Sequence, residues 1–121
     1  MRALLLVYAF AFPIVVGLPL VIAPLAWARA LGWRLPDETA LAIYFGRCLG
    51  AIICAIAAIA IACAGDPVAV RVMLDLIALA FGAMALVHAW GWLRKTQPRF
   101  EDLETFGYAA LCALTIIVRA S

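Results

Sequence analysis

The sequence predicts an all-α fold: an integral membrane four-helix bundle, with up-down antiparallel helices. Three observations carry that expectation. First, the 121-residue chain is 69% hydrophobic and 13% charged, whereas soluble domains hold about 45–50% apolar and about 25% charged residues. Its mean hydropathy is +1.16. Second, the apolar residues fall into four segments, and a helix crosses a bilayer with roughly 20 of them. Third, each gap between segments carries helix stop or start signals. A water-soluble core of this size has little room for so much apolar surface, so lipid is the expected solvent. The length predicts one domain. A net charge of +2 is too small and too scattered to recruit nucleic acid.

The expected spans are residues 3–25, 40–63, 69–93 and 103–119. The run from Ala3 to Ala28 has no charge but contains Pro13, Pro19 and Pro24, which should kink a helix. Ala26-Trp27-Ala28 fits a small-x-small cleavage pattern. A signal-peptide core is only about 7–15 residues, however, so a retained helix is expected. In "RLPDET", Pro36 breaks the chain and Asp37 is placed to cap the second helix. Trp27 and Trp33 flank this loop as interfacial anchors, and Trp90, Trp92, Phe100 and Phe106 are placed to do the same near the third loop.

Thr39 to Gly65 holds a single charge, Arg47, within "YFGRCLG". Gly46, Gly50, Cys54, Ala58 and Ala62 recur there every four residues, a pattern that lets another helix approach closely. Packing inside the bundle is the expected use, because the Gly65-Asp66-Pro67 hairpin supplies a neighbour; another subunit is the alternative. The "AGDPVAV" turn supplies Gly65 for a left-handed helix end, Asp66 as the next N-cap and Pro67 at the first helical position. The second and third helices are therefore expected side by side. Ala78 and Gly82 form a matching small patch on the third helix. The fourth segment is short, and borrows Leu103 and Glu104 at one end while Arg119 snorkels at the other.

Charge counts set the orientation. Arg29, Arg34, Arg94, Lys95 and Arg99 lie on loops one and three, against Arg2, Arg71 and Arg119 on the other side. Loops one and three are thus expected in the cytoplasm.

Depth sorts the polar residues of the spans. Arg47 lies roughly 10 Å below its helix end at about 1.5 Å per residue. At that level it can meet His88, near the end of the third helix, and Glu104, at the start of the fourth. Glu38, Glu101 and Asp102 are close by. Arg71, Asp75 and Arg119 form a second polar cluster in the other leaflet, with Arg71 an i,i+4 partner for Asp75. An intramembrane arginine costs from about 2.5–3.5 kcal/mol upward, so Arg47 either binds an anionic ligand or pairs structurally. No catalytic constellation appears. With one histidine and no second imidazole, no metal is expected, and no cofactor. Cys48, Cys54, Cys63 and Cys112 form no C-x-x-C pair and read as small apolar filler, although Cys54 and Cys112 lie at similar depth.

Three stretches, "GLPLVIAPLAWARALGW", "RCLGA" and "GDPVAVR", resemble the DoxX-like group of small four-helix bacterial membrane proteins. The resemblance implies a multi-pass protein of the bacterial inner membrane. Some of that group resemble membrane subunits of quinone-linked oxidoreductases, which implies an accessory, redox-linked role. No catalytic residue is carried over. The leading expectation is a non-catalytic accessory or assembly subunit of a larger membrane complex, working with a membrane protein partner or as a homo-oligomer. The alternative is a small transporter or a lipid- or quinone-binding protein using Arg47. An enzyme would need Arg47, His88 and Glu104 to converge.

Overall fold

The computed structural model describes residues 1–121 and is all-helical. The first segment is broken into α1 (Arg2–Phe12), a π-helical turn (Pro13–Gly17), α2 (Leu18–Ile22) and α3 (Pro24–Ala30). Three continuous helices follow: α4 (Ala40–Cys63), α5 (Pro67–Arg94) and α6 (Arg99–Ala120). Four helices are long and apolar enough to cross a membrane: Arg2–Ile22 taken through the π turn, and α4, α5 and α6.

The prolines explain the breaks. In a regular helix, the N–H of residue 19 would bond to the carbonyl of Val15. Pro19 has no N–H, and the Trp27 indole donates to that oxygen instead, at 3.1 Å. Trp27 therefore folds back along its own segment and ties α3 to the π turn. Pro24 likewise cannot serve the Leu20 carbonyl. Ala23 leaves helical geometry (φ −141°, ψ 61°), and α3 starts afresh with Pro24 at its first position.

The kinked first segment packs into the glycine face of α4. A Cβ on Gly50 would lie 2.5 Å from the Gly17 carbonyl oxygen and 2.9 Å from the Val21 nitrogen, and one on Gly46 would lie 2.8 Å from Pro24. Cys54 sits over Gly17. This corrects the expectation that the second and third long helices are the main neighbours: α4 packs chiefly on the first segment, and α5 chiefly on α6. Ala58 also leaves the packing face and is exposed. A strict four-residue step drifts round a helix of 3.6 residues per turn, so the buried stripe continues through Ala57, Ala60 and Ala64 instead. Gly82 faces α6, where Cys112 stands opposite and its thiol reaches the Ala78 carbonyl at 3.3 Å. Cys54 and Cys112 consequently lie in different helix pairs.

The two pairs meet around Leu5 and Leu74, both fully buried, and around Phe81. Phe81 is an aromatic hub, with Tyr8, Phe12 and Tyr108 rings centred 5.3, 5.1 and 6.1 Å away. Beneath it the Tyr8 hydroxyl and Thr115 Oγ1 lie 3.0 Å apart. Thr115 spends its only hydroxyl proton on the Leu111 carbonyl, at 2.6 Å, so Tyr8 is the donor to Thr115.

The turns differ in detail from the sequence expectation. Asp66 does cap α5, accepting from the Val68 N–H at 2.8 Å, with Pro67 next. Gly65 is not left-handed: Gly32 is the only glycine with positive φ. At the start of α4, Glu38 rather than Asp37 takes up a free backbone donor, the Ala40 N–H, at 2.8 Å. Its side chain reaches two residues forward to that donor.

At the loop-two end, Arg119 makes two hydrogen bonds to Asp75, at 2.8 and 3.1 Å. Asp75 therefore pairs across helices and not with Arg71, which has no ion pair. Both partners are about half exposed, where screening and side-chain entropy cancel most of the attraction. Asp75→Asn is expected to leave the unfolding midpoint in mild detergent unchanged within error; a marked drop would show that this end is shielded from water.

Candidate functional site

At the opposite end, loops one and three, the end of α5 and the start of α6 bring a cluster of polar side chains together. Glu101 and Glu104 are one turn apart on α6 and so share a face. His88 projects between them from the last third of α5. Its Nδ1 lies 3.2 Å from Glu101 Oε2, and its Nε2 lies 3.8 Å from Glu104 Oε2. His88 is 7% exposed and Glu101 6%; Glu104 is partly buried. Tyr108, four residues beyond Glu104, stacks on the imidazole with ring centres 5.1 Å apart and planes 21° apart.

The surrounding chain fixes this geometry. Lys95 is left-handed (φ 54°) and ends α5, turning Gln97 back across Gly91. A Cβ at Gly91 would overlap the Gln97 side chain, so glycine is what admits it. Gln97 Nε2 donates to the His88 carbonyl and to Asp102 Oδ1, both at 3.0 Å. From loop one, Trp33 Nε1 donates to Glu101 Oε1 at 2.7 Å. That bond leaves the other oxygen, Oε2, turned to His88.

The electrostatics are unusual for so apolar a chain. Two carboxylates flank one imidazole, and neither is paired with an arginine or lysine. The N-terminus of α6 favours negative charge in its first turn, which eases the burial of Glu101. Even a protonated His88 leaves one excess negative charge. Replacing Trp33 with phenylalanine strips Glu101 of its donor while keeping the ring. It is expected to cost about 1–3 kcal/mol, the penalty for a buried acceptor left unmade. Chemical or thermal unfolding in detergent measures it, and no change would mean that Trp33 only covers the cluster.

Of the sequence candidates, His88 and Glu104 do share a level and a site. Arg47 does not join them. It is exposed on the outer side of α4, lining an open groove with Ala40, Ile43, Tyr44, Cys48 and Ala51. The reason is rotational: Gly46 and Gly50 are turned to the first segment, and Arg47, one position round, points outward. Trp33, expected as an interfacial anchor, commits its N–H to Glu101. A lone histidine predicts no metal, but in the fold two carboxylates stand beside His88.

Glu101 and Gln97 are the residues that sequence reasoning undervalues. A signal for Glu101 exists: it shares a helix face with Glu104 and, two turns on, with Tyr108. Gln97 has none, because its role depends on the left-handed turn at Lys95. No family model matches the chain, and comparison with curated proteins and with solved structures finds no match.

Proposed function

We propose that this chain is a multi-pass membrane protein of the bacterial inner membrane, with loops one and three in the cytoplasm, acting as a non-catalytic accessory or assembly subunit of a larger membrane complex. A redox- or quinone-linked complex is the setting suggested by the DoxX-like resemblance. The observation that carries the reading is the outer face of α4. Leu41, Phe45, Ile52 and Ile59 stand exposed there, interspersed with exposed Ala51, Ala55, Ala58 and Ala62. In lipid, apolar surface alone gives helices no reason to associate, and small residues that let backbones approach closely do. One glycine-lined side of α4 is filled by the first segment; the alanine-lined side is free for a second protein.

The test is purification in mild detergent at near-native expression. A defined membrane protein partner, or a homo-oligomer, should co-migrate with the chain. Ala55→Leu with Ala58→Leu should release it without lowering the unfolding midpoint. A single-copy, monodisperse species carrying no other polypeptide counts decisively against the reading.

A second reading rests on Arg47. The unpaired guanidinium beside Tyr44 in an open groove suits an anionic lipid headgroup or the carbonyl edge of a quinone. Native mass spectrometry of the protein released from native membranes should show bound lipid or quinone that Arg47→Ala loses. Equal retention by the variant removes this reading.

A further inference from the structure

We propose that His88, Glu101 and Glu104 form a binding site for a divalent first-row transition metal ion at the loop-one and loop-three end of the bundle. One ligand atom from each residue lies within 4.8 Å of the other two. Metal–nitrogen and metal–oxygen bonds of about 2.0–2.2 Å reach across such a group once the carboxylates close in by a fraction of an ångström. A mixed imidazole and carboxylate donor set suits manganese, iron or zinc better than the softer sites built from thiolates or the all-oxygen sites of calcium.

Proximity of acidic groups alone would not carry this. The independent observation is the imidazole: His88 Nδ1 is buried and has no hydrogen-bond partner. It lies 3.2 Å from Glu101 Oε2, yet the alignment that a hydrogen bond needs is missing. A buried polar atom is rarely left so, and an unpartnered imidazole nitrogen facing the Glu101 carboxylate, with Glu104 at the other ring nitrogen, marks a place where a cation would be held. Charge points the same way. A divalent ion with a neutral imidazole balances the two carboxylates, whereas a proton on His88 does not.

The supporting contacts are those that orient metal ligands elsewhere. Trp33 holds Glu101 Oε1 and presents Oε2. Gln97 pins the His88 backbone and Asp102. Tyr108 fixes the imidazole plane by stacking. Such outer partners typically set metal affinity by 10–100-fold. The site lies apart from the outer face of α4, so it stands or falls independently of the accessory-subunit reading.

The experiment uses the full-length protein in detergent or nanodiscs, stripped with chelator and titrated with Mn2+ under electron paramagnetic resonance. The expected result is one saturable Mn2+ per chain with nitrogen hyperfine coupling from a single imidazole. His88→Gln should abolish that coupling, and His88→Gln and Glu104→Gln should each weaken binding at least about tenfold. Trp33→Phe, which keeps all three ligands, should weaken it by about tenfold with the coupling retained. Non-saturable binding, or saturable binding without nitrogen coupling, overturns the proposal on the wild-type protein alone, whether or not a variant folds. Retained coupling in a folded His88→Gln protein overturns it equally.

Discussion

Gly50→Val should detach the first segment from α4 and cost about 3 kcal/mol or more of stability. The position leaves no room for relaxation. An added Cβ would meet the Gly17 carbonyl oxygen at 2.5 Å and the Val21 nitrogen at 2.9 Å, and both are backbone atoms that cannot swing aside. Overpacking a well-fitted contact costs about 1–3 kcal/mol where side chains absorb it, and here the whole π turn has to move. Unfolding followed in mild detergent measures the loss. Gly107→Ala is the matched control, since nothing lies within 4 Å of its Cβ position and alanine favours helix. If Gly50→Val is as stable as that control, α4 and the first segment do not meet through their glycines.

Phe81→Ala should be comparably damaging, for the opposite reason. It empties the place where Tyr8, Phe12 and Tyr108 converge, joining α1, α5 and α6. Truncating a buried phenylalanine costs about 3–5 kcal/mol through lost contacts and the cavity left behind. Phe81→Leu keeps much of the volume and should recover more than half of that loss. The effect should also reach the His88 cluster, because Tyr108 packs beside Phe81 and stacks on His88. Equal stability of Phe81→Ala and the wild-type protein would show that the two helix pairs are held together elsewhere.

The helical nature of the chain is written in its composition, and four apolar stretches suffice to mark four helices. The Asp66-Pro67 start of α5 is legible because capping is a local matter, settled by adjacent residues. Which helix packs on which is not local. Gly46 and Gly50 announce a close approach, but the partner depends on the kinks at Pro19 and Pro24, which bend the first segment into that face. The same rotation carries Arg47 outward, so depth along the helix places it beside His88 while direction round the helix does not. The polar cluster was half legible for a related reason. His88 and Glu104 stand out as polar residues in apolar segments, whereas Glu101 looks like an ordinary charge at a helix start, and Trp33 arrives from 68 positions away.

The pairing of neighbours in the chain bears on how the molecule is made. The first segment packs on α4, which directly follows it, and α5 packs on α6. Each partnership closes only a short connection, so little chain entropy is lost in forming it. Such low contact order favours rapid assembly. On a ribosome the first pair has been synthesised by Cys63, before the second begins at Pro67. Each half can thus take shape in sequence as it is delivered. The Tyr8–Thr115 hydrogen bond, which links residues 107 positions apart, joins the two halves and can form only once nearly the whole chain has been made.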